Sequence, residues 1–304
     1  MSEEMKRSGF VSIIGRPNVG KSTLLNALVG QKIAITSDKP QTTREKIRGI
    51  LTRPEGQIVF VDTPGMIEKA GNRLGEYMIY ASRRAVGDCD VIVWLIEPSA
   101  YIGKEDRAIA KMLEKSGLPV ILVINKIDTV PRDHLLPVID AWKELYPFRE
   151  MIPVSALRDR SFEDLVGSIF RYLPYGPAYF DEDTVTDKNV RELCAEMIRE
   201  KALHALRDEV PHGLAVVIES MQDADENDPV TRIEAAIICE KDSHKSIVIG
   251  KGGSMLKKIG TNARYEIEKM LDEKVFLKLY VKVRSNWRDD LTQVRSFGYD
   301  KRDL

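Results

Sequence analysis

The residues best suited to chemistry lie near the start of the chain, in the segment GRPNVGKS. Its spacing is G-x-x-x-x-G-K-[ST], and it follows the apolar run FVSIIG and opens the helical stretch STLLNALVG. Glycines let a backbone turn tightly against phosphate oxygens, and a helix N-terminus adds unpaired N–H donors. Lys21 is placed to reach β- and γ-phosphates, and the Ser22 hydroxyl to bind Mg²⁺. The pattern predicts a phosphate site made of Gly15, Arg16, Pro17, Asn18, Val19, Gly20, Lys21, Ser22 and Thr23.

A second motif follows the apolar run QIVFV and consists of Asp62, Thr63, Pro64 and Gly65. An acid at the end of a strand beside the phosphate loop is placed to hold Mg²⁺ through water. The Gly65 N–H can contact the γ-phosphate and lose that contact after hydrolysis. Alone, DTPG is a routine strand-ending turn, but after a phosphate loop it predicts a nucleotide-dependent switch.

The third motif, Asn125-Lys126-Ile127-Asp128, follows the apolar run LPVILVI. The Asp128 carboxylate can accept hydrogen bonds from N1–H and the exocyclic amine of guanine. Adenine offers neither donor there, so a site built this way rejects it. Lys126 can lie along the base, and Asn125 can tie this loop to the phosphate loop.

A fourth, weaker match follows the next strand candidate, where Ser155, Ala156 and Leu157 can offer backbone N–H groups to guanine O6. The carboxyl ends of parallel strands meet at one edge of a sheet, where α/β domains bind ligands. Four motifs in this order, at successive strand ends, predict a GTP site.

Composition sets limits on the class of protein. The 304 residues suggest two domains at about 150 residues each, with 43% apolar and 31% charged residues and a net charge of -1. The three cysteines form no C-x-x-C pair, and the four histidines lack metal-ligand spacing. We therefore expect reduced thiols and no zinc site. The charged N-terminus and the lack of an apolar run of roughly 20 residues predict a soluble, cytoplasmic protein.

The order of apolar runs divides the chain. Residues 1–174 alternate strand candidates with amphipathic helical stretches, which predicts a doubly wound α/β domain with a mostly parallel sheet. Residues 175–188 contain proline, glycine and acids and are predicted to be a linker. Residues 189–304 have the order α-β-β-α-α-β followed by a C-terminal tail, which predicts an α+β domain.

A glycine-rich turn in the second domain is the other candidate site. Gly250-Lys251-Gly252-Gly253 lies between a short and a longer helical stretch. Such a turn lets a nucleic-acid backbone approach, while helix N-terminal amides contact phosphate. From Lys241 to Arg288 there are about twelve Lys and Arg against five acids, the local basic excess that nucleic-acid binding requires. Trp287 could stack on a base, but we favour a packing role.

The first 170 or so residues resemble a translation-factor-type GTPase domain. GRPNVGKST and QTTRE are similar to the subfamily that contains the Era, double-G-domain and tRNA-modification GTPases. By this resemblance, Gln41-Thr42-Thr43-Arg44 is the first switch, in which a threonine hydroxyl binds Mg²⁺ in the GTP state. Either Thr42 or Thr43 could do so. The resemblance implies Mg²⁺ ligation by Ser22, Thr42 or Thr43, and Asp62, and catalysis involving Lys21, Thr42, Thr43, Asp62 and Gly65.

Met66 departs from the Ras-like pattern, which has a water-orienting glutamine after DxxG. A thioether cannot orient water by hydrogen bonding, so intrinsic hydrolysis should be slow. The resemblance also implies that Asn18 helps bind K⁺ beside the phosphates.

The second domain resembles a type II KH domain, which implies RNA binding by Ile249, Gly250, Lys251, Gly252, Gly253, Lys257 and Lys258. The apolar groove for bases would use Ile247, Val248, Ile249 and Ile259. One GTPase domain followed by one such KH domain resembles the Era family of ribosome-assembly GTPases over essentially the whole chain. That resemblance implies a monomer that binds GTP or GDP and the 3′ region of 16S rRNA on the 30S subunit. It also implies peripheral membrane association, for which the sequence offers no amphipathic anchor.

Two other functions remain open. A P-loop ATPase or nucleotide kinase would share the phosphate loop, but NKID opposes adenine. An RNA chaperone or scaffold with vestigial hydrolysis would share the KH domain, but the motifs at Lys21, Ser22, Asp62 and Gly65 are complete.

Overall fold

The structure, a computed structural model, describes residues 6–39, 42–65, 70–159, 161–226 and 228–300. Within these ranges the chain forms a six-stranded sheet in its first half and a three-stranded sheet in its second half. Two residues considered above, Gln41 and Met66, lie outside the described ranges.

The first sheet is built from strands that alternate with helices along the chain. Its strands are β1 (Arg7–Ile14), β2 (Ile47–Arg53), β3 (Gly56–Asp62), β4 (Val91–Ile96), β5 (Val120–Ile124) and β6 (Glu150–Pro153). Their spatial order is β2-β3-β1-β4-β5-β6. All neighbouring pairs are parallel except β2 and β3, which are antiparallel. The predicted doubly wound, mostly parallel sheet is confirmed.

Helices cover both faces of this sheet. They are α1 (Lys21–Val29), α2 (Arg73–Gly87), α3 (Lys104–Leu113), α4 (Leu135–Lys143) and α5 (Glu163–Tyr172). Apolar side chains of α1 and α5 pack on one face, and those of α3, α4 and the end of α2 pack on the other. Because β4 and β5 are covered on both sides, every residue in them is buried. This explains why their sequences are uninterrupted apolar runs.

Two elements of the first domain were not predicted. Strand β2 lies at the edge of the sheet and carries Arg48, Gly49 and Arg53, which weaken its apolar signal. Helix α2 has its apolar side chains on one face, yet this face packs partly outside its own domain. Both elements depend on tertiary contacts that a local pattern does not reveal.

The predicted linker is attached to the first domain. The Ile50 N–H donates to the Val185 carbonyl oxygen at 2.9 Å, and the Gln57 side chain donates to the Phe180 carbonyl oxygen at 2.9 Å. The Arg7 guanidinium lies 4.2 Å from the centre of the Tyr175 ring. The segment therefore runs from the beginning of β1, past β3, to the edge strand β2.

The second domain has the predicted α-β-β-α-α-β order. Its elements are α6 (Val190–Ala205), β7 (Ala215–Gln222), β8 (Val230–Cys239), α7 (Asp242–Ile249), α8 (Ser254–Leu271), β9 (Lys274–Val283) and, in the tail, α9 (Leu291–Ser296). The sheet order is β7-β8-β9, with β7 and β8 antiparallel and β8 and β9 parallel. Helix α6 starts with a capping box in which Asn189 and Glu192 bond each other's backbone N–H groups.

Each face of the smaller sheet has a different covering. One face packs against α6, α7 and α8 and forms the core of the second domain. The other face contacts α2 of the first domain and the C-terminal tail, in a cluster that includes Leu74, Tyr77, Met78, Ala215, Ala236, Ile238, Trp287, Val294 and Tyr299. Trp287 is fully buried and its indole N–H donates to the Gly213 carbonyl oxygen at 2.9 Å. The predicted packing role of this tryptophan is confirmed.

Two further expectations concerned the state of the cysteines and the presence of a membrane span. Cys89, Cys194 and Cys239 are buried free thiols, as expected of reduced core cysteines. Among the helices of the described ranges, none combines the length and the apolar character that crossing a bilayer requires.

Candidate nucleotide and RNA sites

The phosphate loop joins β1 to α1 and has the backbone that its sequence requires. Asn18 and Gly20 adopt positive φ angles of 64° and 101°. A Cβ at Gly20 would lie 2.3 Å from Nδ2 of Asn125, so only glycine allows the third motif to approach the loop. Helix α1 begins at Lys21 without a side-chain cap. Its first N–H groups are therefore available to phosphate oxygens.

Lys21 and Asp62 place opposite charges at the base of the site. Lys21 is 6% exposed, and its Nζ donates to the Gly15 and Arg16 carbonyl oxygens at 3.2 and 2.9 Å. Burial lowers the pKa of Lys21 to about 8, against the opposing effect of Asp62. Burial likewise raises the pKa of Asp62, although Lys21 and the Ser22 hydroxyl oppose this. A phosphate beside the ammonium and a cation beside the carboxylate would each favour the charged form.

Several predicted residues have structural roles around this centre. The Thr63 hydroxyl donates to the Ile13 carbonyl oxygen at 3.2 Å, and the Ser82 hydroxyl donates to the Pro64 carbonyl oxygen at 2.8 Å. These bonds fix the turn after β3, so that Gly65 lies against the phosphate loop. A Cβ at Gly65 would come within 3.0 Å of the Pro17 ring.

The loop borders a cavity of about 420 Å³ at the carboxyl ends of the strands. Its lining combines the phosphate loop, the first switch, the DTPG turn and the NKID loop: Pro17, Asn18, Gly20, Lys21, Ser22, Thr23, Ile35, Thr36, Ser37, Asp38, Thr42, Thr43, Gly65, Lys126 and His204. One of these residues, His204, belongs to helix α6 of the second domain. Sequence patterns gave no reason to assign it to this site.

Three oxygen atoms converge beside Lys21. The Ser22 hydroxyl donates to Oδ2 of Asp62 at 2.7 Å and lies 2.9 Å from the Thr43 hydroxyl, which is itself 3.5 Å from the same carboxylate oxygen. Hydroxyl and carboxylate oxygens are the ligands that Mg²⁺ prefers. This donor set therefore fits a magnesium ion. Among the described residues, no group of three or more His, Cys, Asp or Glu side chains has a metal-binding arrangement.

The two threonines of the first switch point in different directions. The Thr42 hydroxyl donates to the Lys39 carbonyl oxygen at 2.6 Å, whereas the Thr43 hydroxyl faces Ser22 and Asp62. The geometry therefore favours Thr43 as the magnesium ligand. The next residue, Arg44, is 2% exposed and points into the second domain. Its guanidinium donates to the Leu214 and His212 carbonyl oxygens at 2.5 and 3.0 Å.

Asn125 connects three of the four predicted motifs. Its Nδ2 donates to the Val19 carbonyl oxygen at 2.8 Å, and its Oδ1 accepts from the Ala156 N–H at 2.9 Å. The Lys126 ammonium donates to the Asn18 carbonyl oxygen at 2.7 Å and pairs with Glu97 at 2.5 Å. These contacts bring the phosphate loop and the base-recognition loops together.

Asp128 is oriented by the fourth motif. The Ser155 hydroxyl donates to its Oδ1 at 2.6 Å, and the Ser155 N–H donates to Asp159 at 2.6 Å. Asp128 itself is exposed, so its carboxylate remains accessible to a base. Leu157 is 73% exposed and makes the outer end of the motif. Asp159 and Glu97 support the site but were not predicted.

The glycine-rich turn lies between α7 and α8. Gly250 has a φ of 73°, and a Cβ there would lie 2.7 Å from the Met255 Cβ, so the turn requires glycine. Lys251 and Gly252 are exposed. Helix α8 begins at Ser254 after Gly253, with no side-chain cap. The turn therefore places the N-terminal end of α8 and the exposed Lys251 at one surface.

The groove beside this turn differs from the one predicted. Val248 and Ile259 are fully buried in the domain core, so the expectation that they contact bases is wrong. Their apolar periodicity came from core packing, which a sequence does not distinguish from a binding groove. The groove instead lies between α8 and β9, has a volume of about 460 Å³ and is lined by Gly253, Leu256, Lys257, Gly260, Thr261, Arg264, Val275, Phe276, Leu277 and Leu279.

Of the other predicted RNA residues, Lys257 lies in this groove, whereas Ile247, Ile249 and Lys258 do not line it. Ile247 is 49% exposed and Ile249 is partly buried, both on α7. Lys257 lines the groove, whereas Lys258 lies on the other side of α8, in a depression that also includes His204. Phe276 is 50% exposed, and the Arg232 guanidinium lies 5.6 Å from its ring centre. This aromatic was not predicted, because in the sequence it occupies an ordinary strand position.

Comparison with known proteins identifies both domains. A family model described as a 50S ribosome-binding GTPase matches residues 10–126, and a KH domain model matches residues 209–288. GTPase Era of Clostridium kluyveri is 49% identical over 97% of this chain and 100% of its own length. GTPase Era of Geotalea uraniireducens is 50% identical over 99% of this chain and 100% of its own length.

The chain belongs to the GTPase Era family. It is therefore a GTPase that binds GTP and hydrolyses it, and the expected family is confirmed.

Two solved structures of Era extend the likeness to the arrangement of the domains. A variant of Aquifex aeolicus Era bound to GDP and aluminium fluoride has a TM-score of 0.92 and 41% identity, covering 96% of this chain and 99% of that one. Era in complex with MgGDPNP and nucleotides 1506–1542 of 16S ribosomal RNA also has a TM-score of 0.92 and 41% identity, covering 97% and 99%. A score this high over both domains requires that they have the same relative placement.

Proposed function

We propose that this Era-family GTPase is a nucleotide-controlled switch that binds the 3′ region of 16S rRNA during maturation of the 30S subunit. One observation carries the proposal: the segment Thr42-Thr43-Arg44 contacts the GTP site through Thr43 and the RNA-binding domain through Arg44. A relative with the same domain placement was solved with MgGDPNP and a 16S rRNA fragment. Hydrolysis at one site is therefore expected to change the other domain.

We assign Ser22, Thr43 and Asp62 to Mg²⁺, and Asn125, Lys126 and Asp128 to guanine recognition. When bound, Mg²⁺ neutralises charge on the β- and γ-phosphates. Lys21 would bind the same phosphates, and the Gly65 N–H would meet the γ-phosphate. Thr42 acts through its backbone rather than as a metal ligand.

A potassium ion beside the phosphates is a separate element of the proposal. Asn18 has a left-handed backbone in the phosphate loop, and its Nδ2 donates to the Asp38 carbonyl oxygen at 2.8 Å. This bond leaves the amide oxygen as a ligand for a monovalent cation and links the phosphate loop to the switch. The cation would stabilise the charge that develops during phosphoryl transfer.

Hydrolysis by the parent protein is expected to be at least about tenfold faster in K⁺ than in Na⁺, since a fixed cation that stabilises the transition state by about 1.4 kcal/mol or more raises the rate by that factor. Asn18→Ala should remove this difference. Single-turnover rates in matched KCl and NaCl test it, with the exposed Asn262→Ala as a control that keeps the difference. Equal parent rates in the two salts would refute the potassium site.

We assign RNA phosphates to the turn at Gly250 to Gly253, and bases to the groove between α8 and β9. Lys257 and Arg264 supply positive charge along the groove, and the exposed Phe276 supplies a surface for stacking. The groove between α8 and β9 replaces, in this proposal, the isoleucine-lined groove expected from the sequence. Action on the ribosomal subunit implies a cytoplasmic location. A monomeric state and peripheral membrane association are expectations from the family resemblance alone.

Gly252→Asp is expected to lower affinity for a 3′-terminal 16S rRNA fragment by at least about tenfold, because it opposes a carboxylate to phosphate. The position has a φ of 57°, which Asn and Asp tolerate, and nothing lies within 4 Å of a Cβ there. Gly252→Asn has the same shape without the charge and serves as the control. Fluorescence anisotropy at fixed salt measures both. Equal affinities of the two variants would contradict the phosphate assignment.

The identity of the RNA needs its own experiment. A photocrosslinker at Lys251 should capture the 3′ end of 16S rRNA when the full chain is expressed in bacteria. Sequencing of random RNA instead would refute the ribosomal assignment and leave the GTPase activity unaffected.

A further inference from the structure

The first switch is held on the second domain at the residue before Thr43. Arg199 of helix α6 donates from Nη2 to the Thr42 carbonyl oxygen at 2.5 Å. Its side chain is 1% exposed and is oriented by Glu196, which accepts from Nε and Nη2 at 2.7 and 2.6 Å. Because a buried charged donor leaves little freedom to its acceptor, this bond fixes the backbone next to the proposed magnesium ligand.

The adjacent residue, Glu200, holds Thr36, which lies a few residues before the first switch. One carboxylate oxygen accepts from the Thr36 N–H at 2.9 Å and from its hydroxyl at 3.3 Å. The other accepts from Lys32 and Lys201 at 2.6 and 2.8 Å. Burial alone would raise the pKa of Glu200, but the hydrogen bonds from Lys201 and Lys32 hold it below its ordinary value. The carboxylate is therefore ionised and has a partner at each oxygen.

Two further contacts come from the same part of the chain. His204, one helical turn after Glu200, has its Nε2 2.9 Å from the Thr36 carbonyl oxygen and lines the nucleotide cavity. Lys188, just before α6, forms an ion pair with Glu45. The switch is thus attached to residues 188–214 on both sides of Thr43, whose hydroxyl faces away from them towards Ser22.

We propose that Arg199 and Glu200 are positioning residues for the GTP reaction, and that the second domain forms part of the GTP-state switch. They hold the backbone at Thr36 and at Thr42, which keeps Thr43 turned towards the magnesium position. This inference rests on the assignment of Thr43 to Mg²⁺ in the proposed function. In GTPases the first switch is ordered by γ-phosphate and Mg²⁺ and released on hydrolysis. Docking of the second domain should therefore favour GTP over GDP, and GTP should favour docking by the same factor.

The test is the ratio of two affinities, measured with the full chain and Mg²⁺. Arg199→Met should weaken binding of the GTP analogue GDPNP by about tenfold, the usual effect of losing one charged hydrogen bond, while GDP affinity changes less than about twofold. The value of kcat for GTP should fall as well. Arg199→Lys keeps a donor and should recover part of the loss. Arg191→Met removes an exposed arginine from the same helix and should leave both affinities unchanged.

If Arg199 and Glu200 only stabilise the fold, their variants should not discriminate between GDPNP and GDP. If Arg199→Met and Glu200→Gln weaken both nucleotides equally, or neither of them, in protein that melts cooperatively, the positioning role is refuted. Glu200→Gln covers the case in which the arginine variant does not fold, because the amide keeps the shape of the side chain. A selective loss of GDPNP binding in Glu200→Gln alone then supports the inference, and an unchanged ratio overturns it.

Failure of the inference differs from failure of the proposed function. Thr43→Ala should also reduce GDPNP affinity selectively, because it removes the proposed ligand itself. If Thr43→Ala leaves the ratio unchanged, the magnesium assignment is wrong. If Thr43→Ala shifts the ratio while Arg199→Met and Glu200→Gln do not, only the positioning role is wrong.

Discussion

Asp128→Asn is expected to change the preferred base from guanine to xanthine, with GTP affinity falling by at least about a hundredfold. The carboxylate accepts hydrogen bonds from two N–H groups of guanine. An amide in its place presents an N–H group to the exocyclic amine of guanine, and two donors cannot bond each other. Xanthine carries an oxygen at that position, which accepts from the amide. The Ser155 hydroxyl, 2.6 Å from Asp128, can still donate to the amide oxygen, so the side chain stays oriented.

Steady-state hydrolysis of GTP, XTP and ATP measures this change. Asp133→Asn, at an exposed carboxylate nearby, is the matched control and should keep the guanine preference. Retention of the same preference in Asp128→Asn would remove the guanine assignment. Stronger binding of ATP than of GTP by the parent protein would favour the ATPase or kinase function.

Lys21→Ala is expected to reduce GTP affinity by about a hundredfold or more, and to abolish measurable hydrolysis. Lys21 would make charged hydrogen bonds to two phosphates, at about 1.5–3 kcal/mol each, and about 1.4 kcal/mol corresponds to a factor of ten. Nucleotide titration and single-turnover hydrolysis measure the effect, with the exposed Lys111→Ala as control.

The same variant distinguishes a switch from a scaffold. RNA should still bind the glycine-rich turn in Lys21→Ala, because Lys21 is not one of the residues of that turn. Release of RNA and maturation of the small subunit should fail. Normal subunit maturation in cells that carry only Lys21→Ala would support the scaffold with vestigial hydrolysis.

The nucleotide site was largely predictable because its residues are ordered by short-range rules. Lys21, Asp62 and Asn125 lie at or shortly after the carboxyl end of a strand, and parallel strands bring these ends together whatever the remaining sequence. The proposal that Thr43, and not Thr42, binds Mg²⁺ required coordinates. Adjacent residues in extended backbone point to opposite sides, and only the tertiary structure decides which side faces Asp62.

The connection between the domains could not be predicted. Arg44, Arg199 and Glu200 are charged residues. Because charged residues are rarely buried, the sequence predicts that all three are exposed to solvent. They are buried because partners more than 150 residues away along the chain supply their hydrogen bonds. For the RNA-binding groove, buried residues were predicted to be at the surface. The apolar residues Val248 and Ile259 could belong to a binding groove or to the domain core. In the structure they lie in the core.

The apolar underside of the smaller sheet has a consequence for biosynthesis. Ala236 and Ile238 are covered partly by Tyr77 and Met78 of helix α2. During translation the first domain leaves the ribosome before these strands exist, since domains fold from the N-terminus as they are made. A folded first domain can then cover the new sheet as it forms. A second domain made alone would expose this patch, and we expect it to aggregate more readily than the full chain.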